Sequence, residues 1–338
     1  MKDATRGDQE RMAMPVGNPE AKAWARQHVK GLWTTPMIPM RADGSIDHEG
    51  IRHNVEYILA LGVGGIGFGF SEPWYLTLAE RMEAFSVFVD AVGGRVPCYV
   101  HALDYSVPET INLIRHCERI GADAVMLWTP MEFAKTEDLA VEWLEYVAGQ
   151  VRMPIFAYNT YHAGLSYSIP AIRRIAEIEN VVALKDAVND FGHTVEALRA
   201  VGDQIVVSNP LEEYLPAMLL YTNQQVLLGT TSVFLMQSPR LRPIQEYVEL
   251  IHQGKVAEAW DRYYALKPLR DVWSSIYQVL WDQDAAVHPI ATIKYWMDLM
   301  GMRGGTVRPP LKPLSEEAKA EFLRRLEATG WLERLCGP

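Results

Sequence analysis

The chain reads as an α/β protein: a (β/α)₈ TIM barrel with a C-terminal helical appendage. Eight short apolar runs alternate with amphipathic helical patterns, the count of a closed parallel barrel rather than an open doubly wound sheet. The runs are nearly continuous in their apolar character, as expected of strands covered on both faces. After the eighth run about a hundred residues remain, mostly helical in pattern, which is more than one closing helix requires.

In order, the strands are expected over 31–39, 64–70, 96–102, 122–128, 153–159, 181–187, 204–209 and 224–230. Helical patterns fill the gaps at 48–61, 78–92, 107–120, 137–150, 171–178, 192–201 and 211–221. Ser106-Val-Pro-Glu109 is a helix start, with a capping hydroxyl, an early proline and a glutamate three residues on. Gly62, Gly121 and Gly202 mark passages from helix to strand. The tail shows helical patterns at 243–252, 256–280, 290–300 and 315–328. Three regions follow: an extension over 1–30, flexible or packed on the surface, a barrel over 31–255 and a helical region over 256–338.

Bulk composition narrows the function. Hydrophobic residues make up 49% of the chain, enough for a large core, and the net charge is −10. An acidic chain with scattered Lys and Arg argues against a nucleic-acid or anionic-membrane partner. The first 20 or so residues are polar and lack the apolar segment of a secretory signal, and no apolar run is long enough to span a bilayer. Cys98, Cys117 and Cys336 are too few and too dispersed for a disulfide framework or a Cys-rich zinc site. The expected setting is a reducing cytoplasm, with a small molecule as partner. Gly62-Val-Gly-Gly-Ile-Gly67 has dinucleotide-motif spacing but lies between a helix and a strand, the reverse of the order that motif requires. The histidines form no metal-ligand spacing, so no metal is expected, and there is no G-x-S-x-G elbow.

In a barrel of this kind the chemistry gathers at the C-terminal ends of the strands. Lys185 sits inside the apolar strand Val181-Val-Ala-Leu-Lys185, where a lysine is costly unless paired or neutral. Facing the barrel interior, its amine would be desolvated and free to attack a carbonyl; a buried ion pair is the structural alternative. Tyr158 ends the preceding strand, near enough to move protons at an adduct on Lys185, although tyrosine also serves strands by packing alone. Asn209 and Thr230 end strands seven and eight, where substrate polar groups bind. Glu132 is an acid/base candidate or a solvated loop glutamate. His101 is expected to be a hydrogen-bonded core histidine, with a role in the site as the other reading, and Glu72 a structural acceptor that pins its loop.

With Lys185 and Tyr158 in place, the chain resembles the dihydrodipicolinate synthase / N-acetylneuraminate lyase family of class I aldolases. Gly31-Leu-Trp-Thr-Thr-Pro-Met-Ile-Pro39, Asp43-Gly-Ser-Ile-Asp47 and Gly121-Ala-Asp-Ala-Val-Met-Leu-Trp-Thr-Pro130 look like its first and fourth strand regions. Tyr158-Asn159 and Lys185-Asp186 match its catalytic strands, and His288-Pro-Ile-Ala-Thr-Ile-Lys294 with Val307-Arg-Pro-Pro-Leu311 its helical tail. The resemblance covers about 31–315. It implies a Schiff base on Lys185, Tyr158 as proton-transfer partner, a 2-oxo acid substrate, no cofactor beyond the covalent lysine imine, and a homo-oligomer, tetramer or dimer.

Departures from the family point to a branch. Where members carry a hydroxyl pair that grips the carboxylate of pyruvate, this chain has Gly69-Phe70, then Ser71-Glu72. The synthase's tyrosine pair becomes Met131-Glu132 and its arginine becomes Ala163, which argues against the lysine-pathway synthase itself. Phe70, Trp74, Tyr75, Trp128, Met131, Phe133 and Tyr161 stand at or past strand ends and suggest a pocket for an aromatic or apolar acceptor, as in the hydratase-aldolase branch acting on benzylidenepyruvates. Gly69, Phe70, Ser71, Trp74, Met131, Glu132, Asn209 and Thr230 are the expected substrate contacts. Alternatives are a sugar-acid dehydratase of the 4-deoxy-5-oxoglucarate type and a non-catalytic 2-oxo acid binding protein.

Overall fold

Each apolar run is followed by a helix long enough to carry the chain back to the same edge, so successive strands pair in parallel. A computed structural model describes residues 18–70, 72–278 and 289–337. Its strands are β1 (Gly31–Thr34), β2 (Gly65–Phe68), β3 (Cys98–Val100), β4 (Ala124–Leu127), β5 (Ile155–Thr160), β6 (Val181–Ala187), β7 (Val206–Ser208) and β8 (Val226–Thr230). They form one parallel sheet in the order β7-β6-β5-β4-β3-β2-β1-β8. The ends of that order meet without a ladder among the described residues, and side chains close the seam. Ser208 Oγ donates to Val226 O (2.8 Å) and accepts from Leu228 N–H (3.0 Å). Gln224 accepts from Asn209 N–H (2.9 Å) and donates to Asn209 O (3.2 Å). The result is the (β/α)₈ barrel.

Several boundaries differ from the sequence expectation, and proline explains most of them. The first strand stops at Thr34 rather than 39 because Pro36 has no N–H to give a ladder, and the fifth starts only after Pro154. The helix expected over 256–280 breaks at Leu266 into Val256–Ala265 and Lys267–Gln278, with Pro268 at the start of the second. Residues 211–221 open with a 3₁₀ turn, Glu212–Tyr214, before the helix Leu215–Tyr221. Ser106 caps its helix as expected. Gly62 and Gly121 leave their helices with positive φ, whereas Gly202 ends its helix in right-handed backbone.

The barrel is filled rather than hollow. Trp33, Tyr99, Phe156 and Leu228 occupy its interior with Ala124, Met126 and Ala183. Room for the large rings comes from β2: a Cβ on Gly65 would lie 2.3 Å from the Trp33 ring, and one on Gly67 2.2 Å from that of Tyr99. These glycines of β2 therefore serve packing. The helix Asn18–His28 packs into the same cluster through Ala21, Trp24 and Ala25, so this part of the N-terminal region seals the barrel and does more than cover its surface.

The tail is bound to the barrel by buried ionic contacts. Glu72, just past β2, accepts from Ile38 N–H (2.6 Å) and pairs with Lys294 (2.7 Å) on the helix Ile290–Leu299, and Lys294 also donates to Thr306 O (2.9 Å). The loop-pinning role expected of Glu72 is the one it has. No described helix is long and apolar enough to cross a membrane. Glu72→Gln leaves Lys294 as an uncompensated buried charge; a loss of about 3–5 kcal/mol is expected in urea unfolding.

Candidate active site

Among the described residues, two lysines are fully buried near strand ends or their covering helices, and they differ in what surrounds them. Lys294 has its carboxylate. Lys185, 3% exposed in the middle of β6, has none among the described residues. Its Nζ donates to Gly229 O (2.6 Å) and lies 4.4 Å from the Tyr158 ring centroid and 5.3 Å from that of Phe70. A carbonyl and two ring faces compensate an ammonium only partly, and burial lowers the Lys185 pKa to about 7. A large fraction of free amine is therefore present at neutral pH, as a nucleophile requires.

Strand pairing delivers the partner. Tyr158 is the direct register neighbour of Lys185 across β5 and β6, as Ser208 is across β6 and β7. Burial raises the Tyr158 phenol to about 12, moderated by a hydrogen bond with Thr160, so it stays protonated and can give a proton to an oxygen forming beside the amine. Tyr99 shares a hydrogen bond with Thr35 (2.7 Å), and Thr34 donates to Thr230 O (2.5 Å).

Behind Lys185, the adjacent Asp186 points to the other face of β6, where it organises a buried network. It accepts from Asn159 (2.7 Å), Thr194 (2.7 Å) and His193 Nδ1–H (3.0 Å). His193 Nε2–H donates in turn to Tyr167 O (2.8 Å). Both partners of this imidazole are acceptors, so it is held as a cation, and the Asp186 hydrogen bond raises its pKa to about 9.

The expected substrate contacts fall into three groups. Phe70 lies against Lys185, and Gly69 beside it has a left-handed φ and faces the Phe85 ring. Trp74 is 41% exposed, 6.0 Å from Trp128 and 4.8 Å from Tyr105, and Trp128 in turn meets Tyr158 at 5.9 Å. A run of rings thus leads from the amine to the rim. Met131 and Glu132 are exposed in the turn after β4, and Phe133 packs outward on Trp143. Asn209 is committed elsewhere, donating to Thr194 (3.0 Å) and accepting from Leu211 N–H (2.9 Å), while the Thr230 hydroxyl is spent on Ser232. Ser71 lies outside the described residues.

One residue near the centre escaped the sequence reading, and another was expected there with its ring satisfied. Tyr277, on the tail helix Lys267–Gln278, hydrogen-bonds Thr231 and lies within electrostatic reach of Tyr158; nothing distinguished it from the apolar stripe of its helix. His101 is buried, but neither ring nitrogen has a partner among the described residues, which corrects the expectation of a satisfied core histidine. Its parity with Tyr99 was the available signal. No group of described His, Cys, Asp or Glu side chains could hold a metal ion.

A family model described as the dihydrodipicolinate synthetase family matches residues 28–329. The chain belongs to the dihydrodipicolinate synthetase family. It is accordingly a class I aldolase-type lyase, and members of the family use a lysine Schiff base with pyruvate and need no external cofactor. A 4-hydroxy-tetrahydrodipicolinate synthase of Methanothrix thermoacetophila is 28% identical over 298 residues, covering 87% of this chain and 94% of the relative. Two solved structures share the fold. One is a prophage protein of the dihydrodipicolinic acid synthase family from E. coli K12 in complex with pyruvate (TM-score 0.77, 22% identity, 89% of this chain and 99% of that one). The other is the N-acetylneuraminate lyase of Proteus mirabilis (TM-score 0.76, 24% identity, 90% and 99%).

Within this dihydrodipicolinate synthetase family barrel, two titrations are open to measurement. Because His193 titrates near 9 when folded and near 6.5 when unfolded, its stabilising contribution is complete below about pH 6.5 and is lost as pH rises through about 9. Unfolding free energies of wild type and His193→Gln should therefore converge above that range. With Lys185 as the reacting amine, the free-enzyme pH profile of kcat/KM is expected to rise through about 7 as it loses its proton.

Proposed function

We propose that Lys185 is the Schiff-base residue of a lyase acting on a 2-oxo acid, releasing or condensing pyruvate with an apolar or aromatic aldehyde. The observation that carries the reading is a buried lysine amine without a counter-ion among the described residues, held beside a protonated phenol by strand register. The free amine adds to the 2-oxo carbon, and Tyr158 supplies the proton that lets the carbinolamine lose water. In the cleavage direction the bond two carbons beyond the imine nitrogen breaks, its electrons flow into the iminium, and the 4-hydroxyl proton leaves as the aldehyde forms. The enamine is then protonated and water releases pyruvate.

The ring path from Phe70 and Tyr158 through Trp128 to Trp74 and Tyr105 supports the apolar acceptor over a polyhydroxy one. It also favours a branch separate from lysine-pathway synthesis, whose second substrate carries a carboxylate that these rings do not match. Assembly as a homo-oligomer, dimer or tetramer, is part of the proposal, supported by exposed Leu139 and Tyr146 on one face of the helix Glu137–Ala148.

The test is intact-mass spectrometry after borohydride reduction with pyruvate or an aromatic 2-oxo acid. Wild type should gain the mass of the reduced imine and Lys185→Ala should not. Tyr158→Phe should still form adduct slowly while kcat falls by about 10²–10⁴-fold. Ligand binding that persists in Lys185→Ala, with no adduct in wild type, would instead identify a binding protein, and a preference for polyhydroxy acids a sugar-acid dehydratase.

A further inference from the structure

His101 follows β3 with its backbone fixed, its N–H donating to Phe68 O (2.9 Å). Its ring is completely buried, and neither Nδ1 nor Nε2 has a partner among the described residues. Aromatic rings surround it: Phe70 at 5.3 Å, Tyr99 at 5.5 Å, Trp128 at 5.6 Å and Tyr158 at 6.4 Å. Tyr57, Trp143 and Trp296 also bury an unpartnered polar atom, but on helices outside the barrel. A phenylalanine would fill this place without burying two unpaired nitrogens, so packing alone gives no reason for the imidazole.

Phe70 and Tyr158 connect the histidine to the amine. Both rings lie against Lys185 Nζ, and both also contact His101. A 2-oxo acid condensed on Lys185 carries its carboxylate on the carbon next to the imine. That anion would come to lie among the rings around Nζ and needs a donor. Among the described residues, neighbouring side-chain hydroxyls already have partners: Thr34 donates to Thr230 O, Thr35 and Tyr99 share a bond, and Tyr158 bonds Thr160. His101 brings an uncommitted N–H. Burial, reinforced by the nearby Lys185 charge, holds its pKa well below the ordinary histidine value, leaving a neutral ring with one donor nitrogen.

We infer that His101 binds the carboxylate of the 2-oxo acid while Lys185 holds its carbonyl carbon. The inference rests on the Schiff-base reading and gives the substrate's anionic end a ligand just past β3, since the Gly69-Phe70 segment after β2 supplies no side-chain hydroxyl.

The experiment is a pyruvate titration read as the concentration giving half-maximal borohydride-trapped adduct, on wild type, His101→Phe and His101→Asn. His101→Phe keeps a ring but removes the donor, and half-saturation should rise by about 10- to 100-fold, the scale of a hydrogen bond to a charged group. His101→Asn keeps an N–H and should recover part of the loss. The thermal midpoint of His101→Phe should equal or exceed that of wild type, whereas a purely structural histidine would lower it and leave pyruvate binding unchanged. Should His101→Phe not fold, His101→Leu serves as the variant without a donor. Unchanged half-saturation in a folded variant lacking the donor overturns the inference. So does a loss confined to a longer aromatic 2-oxo acid, which would put His101 against the acceptor half. Wild type without adduct defeats the Schiff-base reading and this one together; adduct in wild type with no effect at His101 defeats this one alone.

Discussion

An ammonium without a counter-ion among the described residues, at the centre of a barrel, is the constraint around which the structure is arranged. Burial takes Lys185 from an ordinary lysine pKa of 10.5 to about 7, which corresponds to about 5 kcal/mol between its protonated and free forms. A carboxylate beside it would recover much of that and hold the amine as a cation. The fold supplies such a partner to Lys294 through Glu72 and withholds one from Lys185. One lysine is thereby a structural tie and the other, in the proposed function, the nucleophile, although both are surrounded by protein.

Holding an amine in that state requires rigidity behind it. Lys185 and Asp186 are consecutive in β6 and so face opposite sides of the sheet. The inward residue meets rings and a carbonyl; the outward one gathers Asn159, Thr194 and a cationic His193. Asn209 joins the same network through Thr194, which explains why an amide at a strand end serves the scaffold. The charge on Asp186 is satisfied on the outer face and is directed away from the amine.

The seam between β7 and β8 shows the same economy. Ser208 and Gln224 use side chains where a backbone ladder would otherwise run. Gly229, on β8 just beyond the seam, presents its carbonyl to Lys185; a Cβ there would stand 2.2 Å from the Tyr99 hydroxyl and 3.3 Å from Nζ. Closure of the barrel and placement of the amine thus depend on the same few residues.

The sequence by itself determined the barrel, because periodicity and continuous apolar runs are local properties that report strands and helices without knowledge of their neighbours. It also singled out Lys185, since a lysine inside an apolar strand is anomalous on its face, and Tyr158 by its place at the next strand end. Proline moved boundaries by a few residues without altering the order. Only the tertiary structure decided which polar groups were already occupied. Asn209, Thr230 and Glu132 are equivalent candidates in one dimension, yet in the fold two are tied by hydrogen bonds and one is exposed. Tyr277, and the unpaired ring of His101, became visible only when the end of strand β3 and a helix some 170 residues later were brought to the same centre. Whether a polar atom has a partner is a relation between distant segments, and no local pattern encodes it.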